Sequence, residues 1–479
     1  MECHHEERDC QRKKEGPAHV DSPVGSGLRI ASRKSRSRRC ESACAQRVGF
    51  ESCPAAGLTP LRLGAMHPHP HRTPFSTANP DLQGNRRDNA SDRQPGMSGT
   101  KSPVVIVGGG LAGLVAAMRL GEAGIRDLTL VEAREALGGR IAGVDAEGVA
   151  AQGALPAPDG FDLGPTWFWP DLQPRFKRLV DDLGLQCVEQ FEEGDMLVER
   201  SAREAPMRVP GYASAPPAMR LIGGTGAIVT ALCKRLDLRG LYTGHGVRRL
   251  RRVGERVDVE IEGASRAFAT LPAAHVMLAL PPRLAARRIA FDPPLPPELA
   301  QRWRATPTWM APHAKYVAIY ETPFWRDQGL SGAARSALGP MAEIHDHSMP
   351  GGRGALFGFI GVPASVRRPM SNDALKALCR AQLGRLLGEH ARVPRADALK
   401  DWALDPLTAT QDDQDPSGHL EAAPPAEALD GAWHQRLTGI GSEWSRAFPG
   451  YMAGALDAAE RGVRRYLDAI TRSSHSPAR

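Results

Sequence analysis

The chain has 479 residues, 42% of them hydrophobic, enough for two or three domains with a sizeable core, and no run of about twenty apolar residues that would span a membrane. Its net charge of +7 points to a polyanionic partner only until the charge is located: residues 1–100 hold 16 Lys and Arg against 11 Asp and Glu, leaving 45 against 43 for the rest. Composition therefore argues against nucleic acid and against a membrane as partners of the body.

Residues 1–100 show neither a 3.6- nor a 2-residue period and are rich in Arg, Pro, Ser and His, so they are predicted to be disordered. The basic run Arg33 to Arg39 lacks the apolar core that an export signal needs after it. Met97 stands just before Ser98-Gly99-Thr100-Lys101 and the first predicted strand. The expectation is that Met97 is the true start, which N-terminal mass analysis of protein from its native host checks. Five of the eight cysteines (Cys3, Cys10, Cys40, Cys44, Cys53) fall in this leader, and with His4, His5, His67, His69 and His71 they match no structural zinc spacing. Cys187, Cys233 and Cys379 are scattered through the body, which reads as reduced and cytoplasmic, with no metal site.

The first elements of the body carry most of the information. Val104-Val105-Ile106-Val107 reads as a buried strand, Gly108-Gly109-Gly110-Leu111-Ala112-Gly113 as a turn, Leu114 to Gly121 as a helix, and Leu128 to Val131 as a second strand ending at Glu132. This order is the fingerprint of a dinucleotide site. Gly108 permits the tight strand-to-helix turn, Gly110 lets backbone approach a pyrophosphate, and Gly113 lets helix and strand pack closely. The pyrophosphate then lies on a helix N-terminus, where free N–H groups and the dipole favour an anion. Glu132 falls where an acid accepts from ribose hydroxyls, which argues against a 2′-phosphate.

Ala133-Arg134-Glu135-Ala136-Leu137-Gly138-Gly139-Arg140 follows at once. A second glycine pair suits an extended flavin dinucleotide passing close to the chain, with Arg140 offsetting phosphate charge. Farther on come the aromatic segment Phe161 to Trp169, a helix from Pro174 to Leu183, Gly223-Gly224 opening a helix from Ala227 to Leu236, strands at Val247 to Leu250 and Val257 to Ile261, and an apolar strand Val276 to Leu280 capped by Pro281-Pro282. His345 and His347 could share one strand face, but a lone pair without a third ligand reads as a polar strand edge. His313 and Ser331 lack a hydrolase setting.

From about Ser102 to about Ile470 the chain resembles the flavin-dependent amine oxidase superfamily. The residues that carry the likeness are the glycine turn with Glu132, Glu135 to Arg140, Asp162-Leu163-Gly164-Pro165-Thr166-Trp167, Gly223-Gly224, Ile289 to Pro296, Trp309 to Lys315, Pro323-Phe324-Trp325-Arg326, Gly329 to Gly332 and Pro449 to Leu456. The resemblance implies an α/β fold: a Rossmann-like FAD-binding domain of the glutathione-reductase type, interleaved with a smaller α+β substrate domain. The expected division is 101–168, 221–297 and 430–475 for the FAD domain and 169–220 and 298–429 for the substrate domain.

Position by position, the resemblance implies that Gly108, Gly110, Leu111, Ala112 and Gly113 cradle the FAD. Glu132 would hold the adenosine ribose, and Ala133, Arg134, Gly139 and Arg140 would lie along the ribose and diphosphate. The Val247 backbone would meet the adenine, and Gly164, Pro165, Thr166 and Trp167 would border the isoalloxazine, with Gly441, Ser442 and Met452 completing the cofactor site. Lys315 is expected to hold a water at flavin N5, and Tyr451 to form one wall of an aromatic enclosure that attracts and desolvates an amine. The implied reaction passes a hydride from a small-molecule amine to flavin N5, with O2 reduced to hydrogen peroxide. The oligomeric state is left open.

Three departures qualify the likeness. Ala409 to Asp412 offers no cysteine for covalent flavin and no tyrosine for the opposite wall, so FAD is expected to be non-covalent and the enclosure half built or built from other residues. The stretch from Thr166 to Gly223 is shorter than in mammalian oxidases, which predicts reduced helical cover over the cavity. Gly441 stands where the family carries an acid, with Glu443 nearby as a partial substitute. The competing readings are a flavin-dependent desaturase or protoporphyrinogen-type oxidase, and a catalytically weak flavin-binding protein.

Overall fold

All four residues of the strand Val104–Val107 are apolar because both faces of that strand are covered. Val104 and Ile106 face one core, shared with the helices Leu111–Glu122, Gly226–Arg235 and Met452–His475. Val105 and Val107 face another, built from Val257, Val259, Ile261, Trp303, Trp433 and Trp444. The structure, a computed structural model, describes residues 103–151, 159–263, 266–414 and 422–475. The expectations for residues 1–100, including Met97 and the five leader cysteines, lie outside the described residues.

The strand Val104–Val107 is the centre of a five-stranded parallel sheet, in the order Leu241–Tyr242, Leu128–Val131, Val104–Val107, His275–Leu278, Leu437–Gly439. The chain winds outward on one side and later resumes on the other, so a topological switch point lies at the carboxyl end of the central strand. Open α/β sheets bind ligands there. The strand expected to reach Leu280 stops at Leu278, because Pro281 and Pro282 start the helix Pro282–Arg288 instead of merely capping the strand. A four-stranded sheet from Gly246–Val253, Arg256–Glu262, Phe268–Ala273 and Ala290–Asp292 covers one face.

A seven-stranded sheet forms the other large layer, in the order Ala396–Asp401, Ala314–Tyr320, Gly354–Ile360, Met341–Asp346, Leu330–Ser336, Asp195–Glu199, Met207–Pro210. The strand Ala314–Tyr320 is buried throughout and splits its residues by face. Ala314, Tyr316, Ala318 and Tyr320 pack with Cys379, Leu383 and Leu386 of the helix Asn372–Leu387, whose N-terminus is capped by Ser371. Val317 and Ile319 face Phe161 and Phe357. Lys315 shares that second face. The segment between Thr166 and Gly223 holds a single helix, Pro174–Asp182, and its strands Asp195–Glu199 and Met207–Pro210 extend the seven-stranded sheet.

Candidate active site

At the switch point, Gly108 has φ +108°, and a Cβ there would sit 2.7 Å from the Ala279 carbonyl oxygen. A Cβ on Gly113 would sit 1.9 Å from the Gly108 carbonyl oxygen. The turn therefore closes only with glycine at both positions. The helix Leu111–Glu122 starts at Gly110 with no side-chain cap and no acid in its first turn, so its positive end is left for something else. The second glycine turn bridges to the first through Gly110 and Gly138, with Gly139 pressed against Gly110.

Glu132 is buried, with one carboxylate oxygen accepting the Gly109 N–H at 2.7 Å and the other the Arg134 N–H at 2.8 Å. Each oxygen keeps capacity for a further donor. The two arginines are already engaged. Arg134 donates to Asp405 at 2.9 Å and Thr408 at 3.2 Å, and Arg140 forks onto Glu443 while donating to Ser442 at 3.0 Å. Glu443 is fully buried and carries the charge balance of Arg140. At Gly441 a Cβ would lie 2.8 Å from the Leu280 carbonyl oxygen, so that position has no room for an acid without backbone movement.

A cavity of about 920 Å3 runs from these turns to the seven-stranded sheet. Every residue assigned to the site from sequence lines it except Gly113, whose place is under the turn, where it sets helix against strand. None of Ala409 to Asp412 lines it, although Thr408 does.

The far end is built by register. Glu343, Phe359, Lys315 and Lys400 stand opposite one another on four successive strands, and the first three line the cavity. Lys315 is only 2% exposed. Its Nζ donates to the Gly164 carbonyl at 3.2 Å and to Thr166 Oγ1, and lies 4.0 Å from the centre of the Phe357 ring. Burial pushes this amine down to about 7, with Asp162 opposing the fall and Arg220 adding to it. Trp167 packs edge-on to His345 and donates its indole N–H to Gln190 at 2.7 Å. Tyr451, raised by desolvation, has two indoles as neighbours, Trp309 at 5.1 Å and Trp169 at 6.5 Å between ring centres.

These residues fit FAD: an uncapped helix N-terminus for a diphosphate, glycine walls without side chains, a carboxylate with acceptor capacity for ribose, and an apolar far end for a flat ring. Among the described residues no cluster of three or more His, Cys, Asp or Glu is placed to hold a metal, and no helix is long and apolar enough to cross a membrane. His345 bonds Glu343 at 2.8 Å, while His347 accepts the Asp162 N–H at 2.8 Å.

A family model described as flavin containing amine oxidoreductase matches residues 198–467, more than half of the chain. The chain belongs to this family. A second model, an NAD(P)-binding Rossmann-like domain, matches residues 106–183 of the chain. It is 32% identical over 262 residues to a Mycobacterium tuberculosis protein carrying the name flavin-containing monoamine oxidase, covering 51% of each chain. A Dictyostelium discoideum protein named flavin-containing monoamine oxidase A is 27% identical over 263 residues, covering 53% of this chain and 54% of its own. The chain thus spans about half the length of the curated relatives it matches. The solved cyclohexylamine oxidase of Brevibacterium oxydans superposes with a TM-score of 0.63 over 78% of this chain and all of its own, at 17% identity, a likeness of fold. The family brings FAD as the cofactor.

Sequence reasoning left three features of the site without the role they have here. Glu443 had been weighed only as a substitute acid, whereas it holds Arg140; its position two residues after Gly441 was the available signal. Trp169 and Trp309 lie in the Phe161 to Trp169 and Trp309 to Lys315 stretches, where nothing local gives either ring a role. Arg220, and His347 in its actual setting, carried no local signal at all.

Proposed function

We propose that the chain is an FAD-dependent amine oxidase that takes a small-molecule amine to its imine and reduces O2 to hydrogen peroxide. What supports this most is one cavity that joins an uncapped dinucleotide turn to a buried, desolvated lysine and an aromatic cluster. When bound, FAD supplies the hydride acceptor; the protein supplies position and electrostatics. Glu132 holds the ribose, the helix N-terminus at Leu111 and Ala112 faces the diphosphate, and the Val247 backbone meets the adenine. Gly164 to Trp167 border the ring. The absence of cysteine among the described lining residues supports non-covalent FAD.

Lys315 is read as the group that holds water and moves a proton beside the ring, since an amine lowered to about 7 can give and take a proton near neutrality. Tyr451, Trp169 and Trp309 are read as the enclosure that draws in a cationic amine and lets it shed water as it becomes neutral. The domain division read from sequence is kept in this proposal, with the seven-stranded sheet as the substrate-side layer.

The test is to purify the full chain, record its visible spectrum and titrate an amine library without oxygen. Bleaching of bound flavin by amines supports the proposal, and a folded, colourless chain that refuses FAD rejects it. Bleaching by polyenes or tetrapyrroles alone would make it a desaturase-type enzyme. FAD held but never reduced would make it a binding protein.

A further inference from the structure

Behind Lys315 lies a buried polar cluster that the proposed reaction leaves unexplained. Asp162 is nearly inaccessible; its Oδ1 accepts the Thr225 N–H and hydroxyl, both at 2.7 Å, and its own N–H donates to His347 Nε2 at 2.8 Å. Its Oδ2 is buried without a hydrogen-bond partner. Arg220, equally buried, donates to the backbone carbonyls of Asp346 and Ser348, and its Nε likewise has no partner. Native folds seldom leave such atoms unmatched without a reason.

The same short segment carries Lys315. Gly164 and Thr166, two and four residues beyond Asp162, accept two of the three N–H donors of the ammonium. Phe357 closes a further side. Where the Asp162 segment sits therefore decides where the remaining N–H points.

We propose that Asp162 is a positioning residue for Lys315: pinned by Thr225 and His347, it places the Gly164 and Thr166 acceptors that aim the ammonium into the cavity, and its buried carboxylate is the negative charge that favours the protonated amine. This rests on the reading of Lys315 as the proton-handling group beside the flavin ring. The other charged groups around Lys315 are accounted for. Lys400, its register partner on one side, is tied to Asp405 at 2.8 Å. Glu343, beyond Phe359 on the other, is held by Arg335 at 2.6 Å and His345 at 2.8 Å. Burial, Lys315 and Arg220 keep His347 neutral. Arg220 disfavours the charged amine and Asp162 favours it; burial in turn raises the Asp162 carboxyl, with Lys315, Thr225 and Arg220 opposing that rise.

The experiment follows two titrations of the FAD-loaded full chain: visible absorbance of the oxidised flavin against pH, and unfolding midpoint against pH. Lys315 has its ordinary value of 10.5 when unfolded and about 7 when folded. Between those values the unfolded chain binds a proton that the folded chain has released, so stability rises with pH across that window and is lowest beneath it. Lys315→Met should abolish that rise. Asp162→Asn, which keeps shape and removes charge, should move the lower edge of the window and the flavin titration down together by about one unit, a roughly tenfold change in proton affinity. Unmoved curves in Asp162→Asn overturn the proposal. Wild-type curves in Lys315→Met overturn the reading of Lys315 itself, which keeps the two failures distinct. Should Asp162→Asn not fold, Thr225→Ser and Thr225→Val decide: the serine variant keeps the wild-type curves and the valine variant shifts them down, whereas identical curves for the two overturn the proposal.

Discussion

At the dinucleotide end of the cavity much of the wall is backbone, with Gly108, Gly110 and Gly139 leaving space, and the ion pairs of Arg134 with Asp405 and of Arg140 with Glu443 are closed within the protein. At the sheet end the walls are side chains drawn from separated segments: Trp167, Lys315, Glu343, Phe359 and Tyr451. The first end offers shape, peptide dipoles and the Glu132 carboxylate, an arrangement that tolerates little change in backbone. The second holds one amine in a dry, aromatic setting, where a substitution alters chemistry more than it alters fold. Damage to the two ends should therefore separate cofactor retention from turnover.

The largest effect is expected at the backbone end. Gly113→Ala places a methyl 1.9 Å from the Gly108 carbonyl oxygen, so the turn must move. A loss of about 3 kcal/mol of stability is expected, together with loss of bound FAD, read from a denaturant midpoint and the visible spectrum. Lys315→Met comes next: turnover should fall by on the order of a hundredfold, the range for a lost proton-transfer group, while FAD content stays at wild type. Loss of FAD in that variant would break the distinction between the ends.

This contrast also explains what could be read in advance. Val104 to Glu132 is one contiguous unit whose apolar runs, glycines and terminal acid each have a local physical reason, so strand, turn, helix and strand were legible in order, although the helix begins at Leu111, three residues before the Leu114 read from sequence, because the last residues of the glycine turn are already helical. Lys315 has no such local signature; a lysine within a strand is ordinarily exposed, and it was found through the resemblance of its neighbours. The Asp162 cluster could not be seen, because Asp162, Arg220, Lys315 and His347 meet only when the seven-stranded sheet is laid over the Phe161–Asp162 segment. Likewise the glycine at 441 looked like a deficit in sequence, but the fully buried Glu443 already satisfies Arg140.

That last point gives a sharper test of the backbone end. If Gly441 were a defect, Gly441→Glu would tighten FAD. The structure predicts the reverse, since a Cβ there meets the Leu280 carbonyl oxygen at 2.8 Å and a second carboxylate would enter beside Glu443. Stability should drop by about 1 to 2 kcal/mol, and FAD should bind several-fold more weakly, measured by flavin fluorescence on titration. Tighter binding would mean that Arg140 is short of negative charge.

The smallest effect is expected at Tyr451, and it probes how far the aromatic end acts as a unit. The ring sits 5.1 Å from Trp309 and 6.5 Å from Trp169, so its removal leaves two indoles in place. Tyr451→Phe keeps the ring face and should change kcat/KM for amines by about twofold or less, because the face and not the hydroxyl attracts a cation. Tyr451→Leu removes the face and should raise KM several-fold, in keeping with about 1 kcal/mol for a partly exposed cation–π contact, with kcat and FAD content little changed. A fall in kcat as large as that of Lys315→Met would instead place Tyr451 in direct contact with the reacting atoms, and the sheet end would then hold two chemically essential side chains where the geometry shows one amine and a supporting wall.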